Sequence, residues 1–85
     1  LALETAAFGL RVNASSPGDM RTPRREAQLR SGEKREESLR EMASVYPLGR
    51  IGTAAEAAAL IVFLASARAS FVTGAVYGND GGLTA

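Results

Sequence analysis

The chain has 85 residues, 46% hydrophobic and 22% charged, with a net charge of +1. That length supports one small domain at most, the apolar content excludes a disordered chain, and the near-zero charge gives no reason to expect a nucleic-acid or membrane partner. Cysteine and histidine are both absent, so disulfides, thiol nucleophiles and Ser-His-Asp or Cys-His catalysis cannot be built from these residues, zinc sites are disfavoured, and the composition fits a reducing, cytoplasmic setting.

The opening Leu1-Ala2-Leu3-Glu4 has neither an initiator Met nor a positive region, and it reads as the interior of a helix rather than as a signal peptide. The helix should stop at Gly9, because glycine adopts the left-handed C-terminal conformation at little cost. Apolar and polar residues then alternate over Leu10–Ser15, which predicts a short strand. Ser16-Pro17-Gly18-Asp19 should end it in a turn.

Residues 21–41 hold 12 of the 19 charges. Glu26–Arg30 and Glu36–Arg40 are i,i+4 pairs in the favourable order, and Leu39, Met42, Ala43 and Tyr46 fall on one helical face. A solvated helical segment is predicted, broken near Ser31-Gly32. Thr22-Pro23 reads as an N-cap followed by proline at the first helical position. A nucleic-acid surface built on Arg21, Arg24, Arg25 and Arg30 is a poor reading, because the interleaved glutamates cancel its field.

Pro47-Leu48-Gly49-Arg50-Ile51-Gly52 punctuates the chain. Thr53-Ala54-Ala55-Glu56 is a capping-box pattern and should start a helix running to about Ala67. Ala57, Leu60, Ile61 and Leu64 form its expected core stripe. The rest of this helix is also nearly all apolar, so it is expected to be buried on several sides or to lie in a subunit interface. Its longest apolar run, Ala57 to Ala65, is too short for a bilayer span of ~20 residues. Phe71–Tyr77 reads as a second strand, ended by Asn79-Asp80-Gly81-Gly82. Strand, helical excursion, apolar helix and strand make a βαβ unit with two parallel strands. Two strands cannot enclose a core alone, so the chain is expected to be a piece of a larger domain.

Four stretches carry a resemblance when taken together and in this order. They are Arg11-Val12-Asn13-Ala14-Ser15-Ser16-Pro17-Gly18-Asp19-Met20-Arg21-Thr22, Pro47-Leu48-Gly49-Arg50-Ile51-Gly52, Phe71-Val72-Thr73-Gly74-Ala75-Val76-Tyr77 and Asp80-Gly81-Gly82. The chain resembles the C-terminal third of a classical short-chain dehydrogenase/reductase. Ser15, where that family prefers an apolar residue, and Asn79 depart from the pattern.

The resemblance implies an α/β fold: residues 1–85 as the C-terminal portion of one doubly wound, parallel-sheet Rossmann domain that binds NAD or NADP. It implies that Pro17 and Gly18 form the turn beside the nicotinamide, and that the Met20 amide and the Thr22 hydroxyl contact the carboxamide or pyrophosphate side of the cofactor. It further implies a small alcohol or carbonyl substrate. A homo-oligomer through the 53–67 helix and the last strand is also implied. The family's glycine-rich loop and catalytic Asn, Ser, Tyr and Lys would lie outside the chain, which has no Gly-x-Gly-x-x-Gly. Tyr46 with Arg50 is a near-miss for Tyr-x-x-x-Lys, but it belongs to the segment aligned elsewhere. Tyr77 is followed at that spacing by Gly81. The chain alone is therefore expected to be inactive. The alternative is a non-enzymatic, self-associating α/β module.

Overall fold

The computed structural model describes residues 1–29 and 32–85. Helices α1 (Ala2–Thr5), α2 (Pro23–Gln28), α3 (Glu33–Ser44) and α4 (Ala54–Ala65) alternate with strands β1 (Ala14–Pro17), β2 (Met20–Arg21), β3 (Gly52–Thr53) and β4 (Val76–Asn79). Single 3₁₀ turns follow α1 at Ala6–Phe8 and α4 at Ala67–Ala69. The helix stop at Gly9 is as expected, with the glycine at φ 76°.

Two parallel pairings organise the chain. β1 runs alongside β4, with Ala14 opposite Val76 and Pro17 opposite Asn79. β2 runs alongside β3 as a two-residue extension, Met20 opposite Gly52 and Arg21 opposite Thr53. The expected βαβ unit is therefore present, with α4 packed across β1.

Both main strands begin later than alternation suggested. Leu10–Asn13 lies outside the strand, and Val12 and Asn13 bond to a loop. The Val12 amide donates to Thr73 Oγ1 at 3.0 Å, the Gly74 amide donates to the Val12 carbonyl at 2.8 Å, and Asn13 Nδ2 donates to the Val72 carbonyl at 3.0 Å. Side-chain partners replace ladder bonds there, and they compete with regular pairing. Gly74, at φ 77°, breaks the extended run on the other side and delays β4 to Val76. At its far end β1 continues through Ser16 and Pro17, so the turn starts at Gly18, whose amide still donates to the Asn79 carbonyl at 3.0 Å.

The helix starts were legible. Thr22 Oγ1 accepts from the Arg25 amide, with Pro23 in the first turn. Thr53 and Glu56 form the complete reciprocal capping box. The helical excursion is two helices, α2 ending at Gln28 and α3 starting at Glu33. Ser31, part of the expected break, and Arg30, the expected partner of Glu26, lie outside the described residues. Among the described residues Glu26 pairs with Arg21 and Arg35. Among the described residues Glu36 and Arg40 do not pair with each other, in keeping with the small stabilisation that a solvated pair provides.

The core stripe of α4 needs one correction. Ala57, Leu60 and Leu64 are half-buried, but Ile61 is 56% exposed and Val62 67% exposed. A single pair of strands is too narrow to cover a wider helix face. Among the described residues only Tyr46 and Ala69 are buried apolar positions. The radius of gyration is 16.3 Å, against roughly 12 Å for a compact chain of this length. Much apolar surface, including Leu3, Phe8 and Phe71, stays exposed.

Arg11 holds the crossover together. Its guanidinium donates to the carbonyls of Leu64 (2.8 Å), Ser66 (3.2 Å) and Val72 (3.2 Å). Two of these lie at the open C-terminal end of α4, where a cation is favoured. Arg11→Ala should leave the half-buried Leu64 carbonyl without its donor, while Ser66 and Val72 keep the Ala69 amide and Asn13 Nδ2, and should lower stability by about 2 kcal/mol, read as a shift in the urea midpoint. Arg11→Lys should recover only part of the loss, since an ammonium lacks the planar fork.

Candidate functional site

The carboxyl ends of the two parallel strands converge on one segment, Tyr46-Pro47-Leu48. In open α/β sheets this is the side on which ligands bind. The turn after β1 (Gly18-Asp19) lies on one side of the segment, and the turn after β4 (Asp80-Gly81-Gly82) lies on the other. The Leu48 amide donates to the Gly81 carbonyl at 3.1 Å. Tyr46 is 7% exposed.

Its phenol holds Asp19 twice. The Asp19 amide donates to the Tyr46 hydroxyl at 2.7 Å, and that hydroxyl donates to Asp19 Oδ2 at 2.8 Å. Arg25 of α2 pairs with the other carboxylate oxygen, Oδ1. The amide of Asp19 favours the phenolate. The carboxylate that accepts the phenol proton, together with burial, outweighs it and holds the Tyr46 pKa above its usual value.

The residues singled out from the sequence fall in one run here. Pro17 is the last residue of β1, Gly18 opens the turn, Met20 lies in β2, and Thr22 caps α2. Gly18 is required for a reason the sequence did not show. A Cβ there would stand 2.8 Å from Tyr46 Cε1 and 3.2 Å from the Asp80 Cα. The space it leaves is filled by the tyrosine ring, so Gly18 offers a ligand only its main chain. Gly52 is constrained similarly, because a side chain there would collide with the Met20 sulfur. Thr22 spends one lone pair on the Arg25 amide and keeps its hydroxyl proton free to donate.

Asp80 closes the far turn. Its carboxylate accepts from Thr84 Oγ1 at 2.5 Å and from the Gly82 amide at 3.2 Å. The Thr84 bond, followed by the main-chain donors, lowers its pKa. The expectation of a structural turn at Asp80-Gly81-Gly82 is met, with Gly81 and Gly82 both at positive φ.

The cavity between these turns, reached by Met20, Tyr46, Arg50, Glu56 and Asp80, is only about 60 Å³. A small-molecule site needs roughly 300 Å³ or more. On its own this cavity is too small to enclose such a ligand. A wider cleft of about 340 Å³ lies under α3, bounded by Leu39, Arg40, Ala43, Arg21 and Ile51. Among the described residues no cluster of three potential metal ligands occurs, and no helix is long and apolar enough to cross a membrane.

A family model described as enoyl-(acyl carrier protein) reductase matches residues 1–84. A 3-oxoacyl-[acyl-carrier-protein] reductase of Thermotoga maritima is 48% identical over 83 residues, covering 96% of this chain and 31% of that protein. A solved short-chain dehydrogenase family protein from Francisella tularensis superimposes with a TM-score of 0.83 at 30% identity, covering 99% of this chain and 37% of its own. The chain belongs to the short-chain dehydrogenase/reductase family.

A further solved relative, a variant of ElxO with NADPH bound, gives a TM-score of 0.84 at 33% identity, covering 96% of this chain and 32% of that one. The chain spans about a third of the length of the curated short-chain dehydrogenase/reductase relatives it matches. These relatives place the βαβ unit in a Rossmann fold, as the sequence implied. Tyr46 and Arg50, four residues apart in this short-chain dehydrogenase/reductase segment, have their functional groups on separate partners, Asp19 and Glu56.

The Arg50–Glu56 pair ties the Pro47–Gly52 loop to the start of α4. Arg50 Nη1 and Nη2 donate to the two Glu56 oxygens at 2.8 and 2.7 Å, while the Thr53 amide donates to Oε1 at 3.0 Å. The guanidinium first, then the Thr53 amide, lowers the Glu56 pKa from 4.5 to about 2. A lowered carboxylate contributes stability in full above its unfolded value and loses it as pH falls through the folded one. Stability should therefore decline between about pH 4.5 and pH 2. Glu56→Gln, which can still cap but cannot pair, should flatten that part of an acid titration followed by circular dichroism.

Proposed function

We propose that this chain is the C-terminal part of a single NAD(P)-binding domain, in a cytoplasmic enzyme that moves hydride between nicotinamide and an alcohol or carbonyl. The observation that supports it most is the run from Pro17 to Thr22, laid across the carboxyl ends of a parallel pair. NAD or NADP would supply or accept the hydride. The main chain at Pro17, Gly18 and Met20 would line the nicotinamide side, and the free Thr22 hydroxyl proton would donate to the cofactor.

The donor set suits such a group. Gly18, Met20 and Thr22 are half-buried and Pro17 is exposed, and the one Thr22 hydroxyl would serve both cap and ligand. The exposed apolar surface of this chain also suits a wall that other parts of the enzyme complete. The outward face of α4, with Ile61, Val62 and Phe63 exposed, would meet a second copy, so a homo-oligomer through residues 53–67 and the last strand belongs to the same reading.

The complete protein should oxidise NADH or NADPH with a carbonyl substrate, and the isolated 85 residues should not. In the complete protein, Thr22→Val should raise the KM for cofactor about tenfold, the equivalent of one lost hydrogen bond of about 1.4 kcal/mol. Thr22→Ser keeps the hydroxyl and should restore the affinity. A complete protein that neither binds nor turns over either cofactor would sink this reading.

A further inference from the structure

Asp19 is fastened through its main chain and its side chain alike. Its amide donates to the Tyr46 hydroxyl at 2.7 Å, and its carbonyl accepts from the Gly52 amide at 2.9 Å. One carboxylate oxygen, Oδ2, accepts from the same phenol at 2.8 Å, and the other pairs with Arg25. Its neighbours Gly18 and Met20 belong to the candidate cofactor run, and all three residues are half-buried.

These bonds fix directions. Among the described residues every peptide bond is trans. A trans peptide is planar, and its N–H points opposite to its C=O. The Asp19 carbonyl faces Gly52, so the Met20 N–H of the same peptide faces away from β3, and the β2–β3 ladder does not use it. The Asp19 N–H faces Tyr46, so the Gly18-Asp19 peptide is held as well. That peptide needs holding, because glycine has no Cβ to restrict its rotation. Without the phenol, the direction of the Met20 N–H would depend on the Gly52 bond alone.

The phenol is itself rigidly placed. Tyr46 is buried, and its ring fills the space between two glycine turns. A Cβ on Gly18 would lie 2.8 Å from Tyr46 Cε1, and one on Gly81 would lie 3.5 Å from Tyr46 Cβ. The hydroxyl thus reaches Asp19 from a fixed point 27 residues along the chain. Only a hydroxyl on a ring of this length suits the position, since it accepts from an N–H while its own proton goes to a carboxylate. Phenylalanine would fill the same space and make neither bond.

We propose that Tyr46 is a positioning residue for the cofactor, its hydroxyl holding Asp19 so that the Met20 amide is aimed at the carboxamide of the nicotinamide. The carboxamide contact rests on the proposed function, whereas the hold on Asp19 does not. Tyr46 touches no reacting atom. It acts through one turn, by keeping a donor pointed before the ligand arrives.

The test uses the complete protein and Tyr46→Phe. The Kd for NADH or NADPH, whichever the unsubstituted protein binds, should rise about tenfold by titration calorimetry, the equivalent of one misdirected hydrogen bond. The Kd for ADP-ribose or 2′-phospho-ADP-ribose, which lack the nicotinamide, should stay the same. The Asp19 amide should exchange with deuterium about tenfold faster, with the Ala14 amide as the control. Unchanged exchange at Asp19 would overturn the hold. Faster exchange with an unchanged dinucleotide Kd would overturn the aiming of Met20. Equal weakening of the dinucleotide and of ADP-ribose would also overturn it, since that reports a general loss of the site. Asp19→Ala should weaken the dinucleotide as Tyr46→Phe does, and Asp19→Asn, whose amide oxygen still accepts from the phenol, should recover most of the loss. That pair carries the test if Tyr46→Phe does not fold, and no recovery by Asp19→Asn would overturn the role of the phenol. An unsubstituted protein that binds neither dinucleotide counts against the proposed function, and exchange at Asp19 then decides the hold alone.

Discussion

The structure depends on one guanidinium. Arg11 sits before β1 and reaches the carbonyls of Leu64, Ser66 and Val72, the point where α4 ends and the chain turns back toward β4. Hydrogen bonds from a charged donor are about twice as strong as neutral ones. Those made by Arg11 join residues more than 50 positions apart. Asn13 adds a second fastening, accepting from the Ala75 amide and donating to the Val72 carbonyl. Together they set where β4 lies beside β1, and so which residues stand at the two carboxyl ends. The wedge of Tyr46 between those ends is possible only because that alignment is fixed.

Local chemistry was legible in the sequence, and long-range chemistry was not. The Thr53–Glu56 box, the Thr22 cap with its proline and the glycine stop at Gly9 each involve neighbours within four residues, so their geometry follows from spacing alone. The parallel pair was legible too, because an apolar connecting helix leaves few alternatives. Strand boundaries were not, since Val12 and Asn13 give their bonds to Thr73 and the loop around it. No periodicity records that the partner is a hydroxyl. The exposure of Ile61 was equally hidden, as it depends on how wide a sheet lies beneath α4.

The site divides along the same line. The run Pro17, Gly18, Met20, Thr22 stood out by family resemblance, and the structure keeps it together at the strand ends. The reason for Gly18 came only from three dimensions, because the ring that needs its space is 28 positions away. Tyr46 was visible as an apolar member of a helical face, and nothing in its surroundings in the chain announced that its hydroxyl faces Asp19. Asp19 itself, between Gly18 and Met20, reads as an ordinary turn residue. Only the folded arrangement shows one carboxylate serving two helices.

Pro17 has a consequence for the sheet beyond this chain's own pairing. The Ala14 and Gly18 amides both donate toward β4, so by alternation the amides of Ser15 and residue 17 face the opposite edge. At position 17 that donor does not exist. On the inner edge the last donor is therefore Gly18, and on the outer edge it is Ser15, three residues sooner. Any strand laid against that outer edge finds no main-chain donor in β1 beyond Ser15, only the Pro17 carbonyl as an acceptor, while β4 is also bonded by the Gly18 amide. One missing hydrogen thus makes the two edges of β1 unequal at the end of the strand that faces the candidate site.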